Sequence, residues 1–408
     1  MKKLLLILII PLALYSDNLK SMISYASKHN NLVIAKNFTS ESKKAELDAV
    51  SRSAYPTIDM GGFYQNTNEK NFGMTGVMSS AYAKIGFDIY DGGVRKAIKK
   101  QKRYELISSK FEKDAFGKSL GLSIIQDYFN IKNINSSLNA LHQQNRLLKA
   151  QLKRVKKFVD ASLATNDDIY KLQSAYDMNQ YSIESLKFDK LSLLKSLELK
   201  VNRKVKNIGN SRFKKMRVKF QIDDNIKALK SKQKAMLAQA KSISNNYNPK
   251  IRVEDSYSVY DYGQSDLTHP EGVDNQNKLV VTMNIRVFDN KSIETNKVAI
   301  LRAKDGLNEQ INYNINQQKM LFKLAKSRIN TTKKRIKSAK SALKSADSTY
   351  EIIEEKYNAG LTDNIAYLDA LSQKTNAKAL YHSSLNSLEI AYGIYYYYAG
   401  KNIRRYIK

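Results

Sequence analysis

The chain has 408 residues, 69 lysines and arginines against 38 aspartates and glutamates, a net charge of +31, and no cysteine or tryptophan. The missing cysteines exclude disulfides, thiolate metal sites, a cysteine nucleophile and the acylated cysteine of a lipoprotein. The charge would suit nucleic acid or an anionic surface, but the lysines are spread along helical stretches, which reads as a solvated face and gives no nucleic-acid footprint.

Met1-Lys2-Lys3, the apolar run Leu4 to Ile10 and its extension to Leu14, then Tyr15-Ser16 before Asp17, have the form of a secretory signal over residues 1–16. Cleavage is expected after Ser16, with Ala13 the alternative. The run is too short to span a bilayer, and no other stretch reaches the roughly 18 apolar residues of a transmembrane helix. The expectation is an exported protein.

Breakers divide the remainder. No proline stands between Pro56 and Pro249. Residues 55–65 set Ile58, Met60 and Tyr64 against Thr57, Asp59 and Gln65. Residues 81–90 set Ala83, Ile85, Phe87 and Ile89 against Tyr82, Lys84, Gly86 and Asp88. A period of two marks strands, and the Asn-, Gly-, Ser- and Met-rich segment 66–80 suits a hairpin loop. From Val94 to about Asp160 the composition favours one long helix, roughly 100 Å at 1.5 Å per residue, with Gly117 and Gly121 as possible bends. A second helix, 166–200, folds back from a break at 161–165. Leu141, Leu148, Leu152, Val155 and Val159 form a coiled-coil stripe.

The unit then recurs. Residues 250–260 set Ile251, Val253, Tyr257 and Val259 against Arg252, Glu254, Ser256 and Ser258. Residues 278–288 set Leu279, Val281, Met283, Ile285 and Val287 against Val280, Thr282, Asn284 and Arg286, across a loop at 261–277. Helices are expected over 291–357 and 364–398 around Asn358-Ala359-Gly360. Pro56 and Pro249 open the two hairpins and Asp91 and Asp289 close them. Ser162 and Gly360 stand at the same offset as those aspartates, so the chain reads as a duplication. The first repeat covers 17–205 with a hairpin at about 54–91. The second covers 206–408 with a hairpin at about 249–289 and a C-terminal tail.

Strands of about ten residues with one apolar and one polar face fit a soluble β layer or a membrane barrel with a wet lumen. In the second case Ile85, Phe87, Ile251, Val253, Val281 and Ile285 would face lipid. Lys84, Asp88, Arg252, Glu254 and Arg286 would face the lumen, where their charge is not penalised. Asp255 falls on the apolar side, and a bulge or an interface position would be needed to accommodate it. Four strands cannot close a barrel, so several copies must pool them; three would supply twelve. His29, His142, His269 and His382 show no metal spacing, and neither a phosphate loop nor a nucleophile elbow is present. The Tyr395–Tyr398 run is read as helix packing or an interface. No catalytic residue, metal or cofactor is expected.

Phe87-Asp88-Ile89-Tyr90-Asp91-Gly92-Gly93-Val94-Arg95-Lys96-Ala97 resembles the strand-to-helix segment of the TolC-like outer-membrane factor family, without the proline that often precedes it. Val287-Phe288-Asp289-Asn290 stands in its place in the second repeat, lacking the glycines. Tyr357-Asn358-Ala359-Gly360-Leu361-Thr362 through Tyr367-Leu368-Asp369-Ala370 resembles the family's helix turn, with Leu163 to Ile169 as its first-repeat partner. The resemblance covers nearly the whole mature chain. It implies a mainly α chain with four β strands. Long antiparallel coiled-coil helices would form an α-barrel tunnel, and two hairpins would contribute to a trimeric twelve-stranded transmembrane barrel. It further implies a homotrimer in outer-membrane lipid, a periplasmic adaptor (membrane fusion) protein, an inner-membrane pump, and passage of substrates for efflux or type I secretion without chemistry. At the periplasmic entrance Asp369 matches one of two family aspartates that form a cation-binding ring. The other position is Ala366, and a closure arginine is replaced by Thr362; Asp363 and Asp168 lie nearby and could restore charge. The alternative is a periplasmic coiled-coil adaptor or structural protein, which would carry one helical hairpin and a compact β module instead of two matched β hairpins.

Overall fold

The computed structural model describes residues 18–68, 76–163, 165–205, 207–263 and 273–408; the expected signal segment, His269 and the tips of both hairpin loops lie outside them. In chain order the elements are α1 (Leu19–His29), α2 (Asn31–Arg52), β1 (Thr57–Asn66), β2 (Val77–Tyr90), α3 (Val94–Asp160), α4 (Asn166–Val201), α5 (Asp224–Ser244), β3 (Lys250–Tyr262), β4 (Asn275–Asn284), α6 (Ser292–Asn358) and α7 (Asn364–Tyr398). The order helix–strand–strand–long helix–helix thus occurs twice, with α3 and α6 both 67 residues long. No described helix is long and apolar enough to cross a membrane.

The chain divides into two compact units, neither of which coincides with one repeat. One comprises the residues up to Lys36, Lys113–Asp224 and Ile315–Lys408. The other comprises Asn37–Glu112 and Asn225–Asn314.

The second unit holds a single antiparallel sheet in the order β1-β2-β3-β4, so the two hairpins are joined through β2 and β3. Strand ends differ from the sequence expectation. β2 begins at Val77 and β4 at Asn275, because Ser79, Ser80 and Asn275–Asn277 pair through their backbones although their side chains look like loop. β4 stops at Asn284, where Lys250, the first residue of β3, is its last partner. Ile285 and Arg286, expected within the strand, therefore lie beyond it. The only register irregularity between β2 and β3 falls between Asp88 and Tyr90, which leaves Ile89 out of the alternation.

The strand-to-helix turns are built alike from different residues. Asp91 accepts from Gly93 N at 3.0 Å and Arg95 N at 2.6 Å, capping α3, while Gly92 and Gly93 take φ of 73° and 80°. Asp289 accepts from Ile293 N at 2.8 Å at the head of α6, and there Asn290 and Lys291 occupy the same left-handed region at 54° and 62°. Asn245 and Asn248 brace the first turn by donating to Gly93 O at 2.9 Å and Gly92 O at 2.7 Å; Tyr247 Oη donates to Asp289 at 2.7 Å.

In the first unit, Leu19 and Met22 of α1, Ile124, Ile125, Tyr128 and Phe129 of α3, Leu197 of α4 and Tyr395 and Tyr396 of α7 share one core. Asn18 starts α1 as its cap, accepting from Ser21 N at 2.8 Å. The segment between α4 and α5 crosses this core as a strap. Phe213 bridges to Ile407, Met216 N and Val218 N donate to the hydroxyls of Tyr396 and Tyr395 at 3.1 Å, and Phe213 N donates to Glu389 at 2.6 Å. The tyrosine run is thus a set of polar ties at the end of α7 as well as core packing.

Two outcomes follow from these contacts. An added Cβ at Gly92 would sit 2.9 Å from Asn245 O on a left-handed backbone. Gly92→Ala should therefore destabilise the protein by at least about 1 kcal/mol, whereas Lys291→Gly, which relieves the same conformation, should stabilise it by up to about 1 kcal/mol, both read by thermal unfolding. Burial pushes the Glu389 carboxyl above its ordinary 4.5, against the opposing pull of Phe213 N–H, Lys215, Arg212 and Lys132. A raised carboxyl is stabilising while protonated, and that contribution is lost as pH rises through its folded value. Stability should fall with rising pH above about 4.5 for the wild type and fall less for Glu389→Gln, whose amide oxygen can still accept from Phe213 N.

Candidate functional sites

The sheet separates chemistry by face. Cross-strand register sets Ile58, Ile85, Asp255 and Leu279 in one row, and Phe87, Val253 and Val281 in another. Ile251 shares this face opposite Met283. The residues are open: Ile58 is 73% exposed, Met60 82% and Val281 65%. Burial of so much apolar surface is strongly favourable and nothing in the described chain achieves it. Ile285 keeps the parity of this face but stands past the end of β4.

The opposite face is charged and internally paired. Asp59, Lys84, Ser256 and Lys278 form one row. Asp88 accepts from Arg252 at 3.0 Å and lies 3.6 Å from Arg95, and Arg252 reaches Glu254 at 3.6 Å. Two glycines make room: a side chain at Gly86 would strike the Arg252 guanidinium, and one at Gly61 would strike the Tyr82 ring. Of the charged residues expected on this face, Lys84, Asp88, Arg252 and Glu254 are in strands, whereas Arg286 is not.

Asp255 is the exception on the apolar face. It stands between Ile85 and Leu279, and its Oδ1 is buried with no hydrogen-bond partner. Of the two ways to accommodate it, a bulge or an interface position, the bulge between β2 and β3 falls at Ile89 and not at Asp255. β1 and β4 are the sheet edges, and each offers one side of its backbone to no strand among the described residues.

The helix turns form the second candidate site, within the first unit. α6 ends in a left-handed turn at Gly360, φ 74°, where Leu361 N donates to Lys356 O at 2.8 Å. α3 ends the same way at Ser162, φ 59°, with Leu163 N donating to Phe158 O at 2.7 Å. These bonds satisfy carbonyls that the last helical turn leaves open. Asp363 is the cap of α7, its Oδ1 accepting from Ala366 N at 2.9 Å, so this carboxylate is engaged in holding the helix start. Thr362 is half-buried beside it. Asp168 accepts from Thr165 Oγ1 at 3.2 Å through its carboxylate and from Asn364 Nδ2 at 3.4 Å through its backbone oxygen. Asp369 is exposed, accepts from Gln373 at 2.7 Å, and lines a groove with Ile365 and Leu368 of α7 and Tyr170 and Lys171 of α4.

Arg154 and a tyrosine cluster play parts here that sequence reasoning missed. Arg154 donates to the side chain and backbone of Asn358 and lies over the rings of Phe158 and Tyr357 at 5.2 and 6.0 Å, tying α3 to the end of α6. Tyr367, fully buried, stacks on Tyr357 at 4.9 Å, and Tyr350 donates to Glu354 at 2.6 Å. Lys374 covers the Tyr350 ring at 4.3 Å and pairs with Asp347 at 3.3 Å. Burial raises the hydroxyls of Tyr350, Tyr357 and Tyr367 above their ordinary range. Tyr350 and Tyr357 are one heptad apart, which marks a shared helix face; their partner on α7 is not visible in sequence. Among the described residues, no group of three or more His, Asp or Glu side chains is placed to hold a metal ion.

No protein-family model and no curated protein matches the chain. Solved structures do match. The Campylobacter jejuni CmeC outer membrane channel superimposes with a TM-score of 0.83 at 16% identity, over 94% of this chain and 86% of that one. CusC, described for the conformational changes accompanying folding and transmembrane channel formation, gives 0.82 at 14%, over 94% and 92%. The open state of the Neisseria gonorrhoeae MtrE outer membrane channel gives 0.80 at 13%, over 95% and 90%. The chain has the fold of these outer-membrane channels along nearly its whole length.

Proposed function

We propose that this protein is the outer-membrane exit duct of a tripartite efflux or type I secretion system, a homotrimer that passes substrates from the periplasm to the exterior without catalysis. The observation that carries the reading is the sheet: one exposed apolar face, one charged face and two edges that meet no other strand among the described residues, all in the same four strands. Strands of 10–14 residues suit a tilted crossing of the bilayer. An open edge in lipid leaves backbone groups without partners, so β4 of one copy must meet β1 of the next. An even number of alternating strands per chain keeps that junction antiparallel, and three copies make twelve. The long helices would then line a periplasmic tunnel. The fold shared with CmeC, CusC and MtrE supports the same reading. A periplasmic adaptor protein and an inner-membrane pump are the partners this role requires; a free-standing coiled-coil adaptor would have no use for a sheet open on both edges.

Within this reading Asp369 is the entrance carboxylate. It is exposed on α7, whereas Asp363 is spent on a helix cap. Ala366 and Thr362 leave the entrance with fewer ties than the family pattern, and Arg154 with Asn358 supplies one between α3 and α6.

Outer-membrane fractions extracted with detergent should yield a heat-modifiable trimer. Val281→Arg puts a charge on the outward face at a cost of about 2–4 kcal/mol near the bilayer midplane and should abolish that band, while Lys84→Gln on the other face should retain it. A water-soluble monomer needing no detergent would overturn the reading. In planar bilayers the wild type should conduct and be blocked by divalent cations, with the block weakened in Asp369→Ala; an unchanged block would remove Asp369 from the entrance.

A further inference from the structure

α6 carries a second, distinct feature. Lys319, Lys323, Lys326, Lys333, Lys337, Lys340 and Lys344 follow one another at alternating spacings of three and four, with Asn330 filling the single gap. They form one straight stripe on the helix, about 38 Å long at 1.5 Å per residue. All eight positions are exposed. The buried stripe of the same helix, Gln318, Ala325, Ile329, Thr332 and Ala339, lies one residue earlier, so the lysines are turned about 100° away from the packed face. No acidic residue occurs between Glu309 and Asp347, and none of the seven ammonium groups has an ion pair among the described residues. The stripe ends at Asp347, whose carboxylate is taken by Lys374.

Like charges at three and four residues apart oppose a helix, and most of the other helical lysines with salt bridges have a glutamate or aspartate within one turn, as Lys171, Lys187, Lys195 and Lys297 do. A second copy of the chain could not neutralise the stripe, since no helix bears a matching acidic row. Covering it with another subunit would bury unpaired ammonium groups, which is unfavourable. The surface therefore stays open to an external anion extended along the helix axis. The stripe contains no arginine, and lysine takes carboxylate and phosphate alike as a point charge, so the choice of carboxylate follows from the placement of these helices in the proposed duct, beside the extended anion of the cell wall.

We propose that the α6 lysine stripe is a docking surface for a linear polymer bearing carboxylates along its length, the chemistry of the peptide stems in a bacterial cell wall. The inference rests on the periplasmic placement of the helices in the proposed duct, and it adds an anchoring role: the subunit would be held laterally by the polymer it passes through.

The test uses the full-length protein in detergent and purified peptidoglycan sacculi as the probe, measured by co-sedimentation across a salt series. The wild type should bind at low salt and be released as salt rises, because the attraction is counterion-linked. Lys333→Gln/Lys337→Gln/Lys340→Gln, exposed positions with a good helix former, should bind roughly tenfold or more weakly and with a shallower salt dependence. Lys28→Gln/Lys44→Gln/Lys187→Gln, equal in charge change, should bind as the wild type does. Equal binding by the stripe variant, or an equal loss in the charge-matched control, overturns the proposal. So does competition by polyphosphate or phosphatidylglycerol vesicles stronger than that by polyglutamate, which would assign the stripe to phosphate. Bilayer conductance on the same preparations separates the two readings: a conducting stripe variant that no longer sediments supports the anchor, and a non-conducting wild type that still sediments refutes the duct alone.

Discussion

Backbone hydrogen bonding at the sheet edges is the constraint on which the rest depends. β2 and β3 pair with one another along nearly their full length, but β1 and β4 each turn a row of N–H and C=O groups toward no strand among the described residues. In water that edge could be solvated or guarded by charge. Beside a face of isoleucine, methionine, valine and leucine it has neither protection, and a bilayer would make each unpaired group costly. In the proposed duct these four strands would face an apolar solvent outside and pair with copies of themselves at the sides, and their charged face would line a wet interior. On that face Arg252 sits between Asp88 and Glu254, so the charges are already partly paired.

The sheet can only serve this role if it is anchored to its helices, and the two strand-to-helix turns do so with one geometry. Both use an aspartate cap followed by two left-handed residues. The first repeat fills those positions with glycine, and the second with asparagine and lysine, which tolerate the conformation at some cost. The first turn is also braced by Asn245 and Asn248, which precede β3, so its glycines answer a close approach of backbone as well as a dihedral angle. At the opposite ends of the long helices the pattern is reversed: Gly360 serves the second repeat and Ser162 the first. The same turn geometry is reached with different residues.

Charge on this chain is divided by context. On the sheet it is balanced and local. At the helix turns it is mostly committed: Asp363 caps α7, Asp347 holds Lys374, and Arg154 grips Asn358, while Asp369 remains exposed. Along the stretch of α6 from Lys319 to Lys344 it is neither balanced nor committed. The overall excess of +31 had suggested a diffuse solvated surface, yet seven of its lysines lie in one line. Composition cannot distinguish these cases, because a net charge has no direction; a helical wheel can.

Much of the architecture was legible in the sequence because its signals are local. Breaker positions delimited α3, α4, α6 and α7 to within a residue or so, since proline and glycine act on the backbone at their own position. A period of two assigned the faces of Ile85, Phe87, Val253 and Val281 against those of Lys84, Asp88, Arg252 and Glu254, because alternation follows from strand geometry alone. What needed the tertiary structure was everything set by partners distant in the chain. Where β4 ends, and hence that Ile285 and Arg286 fall outside it, depends on where β3 begins. That the hairpins join through β2 and β3, that Asp255 Oδ1 is buried without a partner among the described residues, and that Arg154 ties α3 to the end of α6 depend on residues far apart in the chain. Secondary structure is written residue by residue, whereas pairing is decided by which surfaces meet, and no local pattern encodes that meeting.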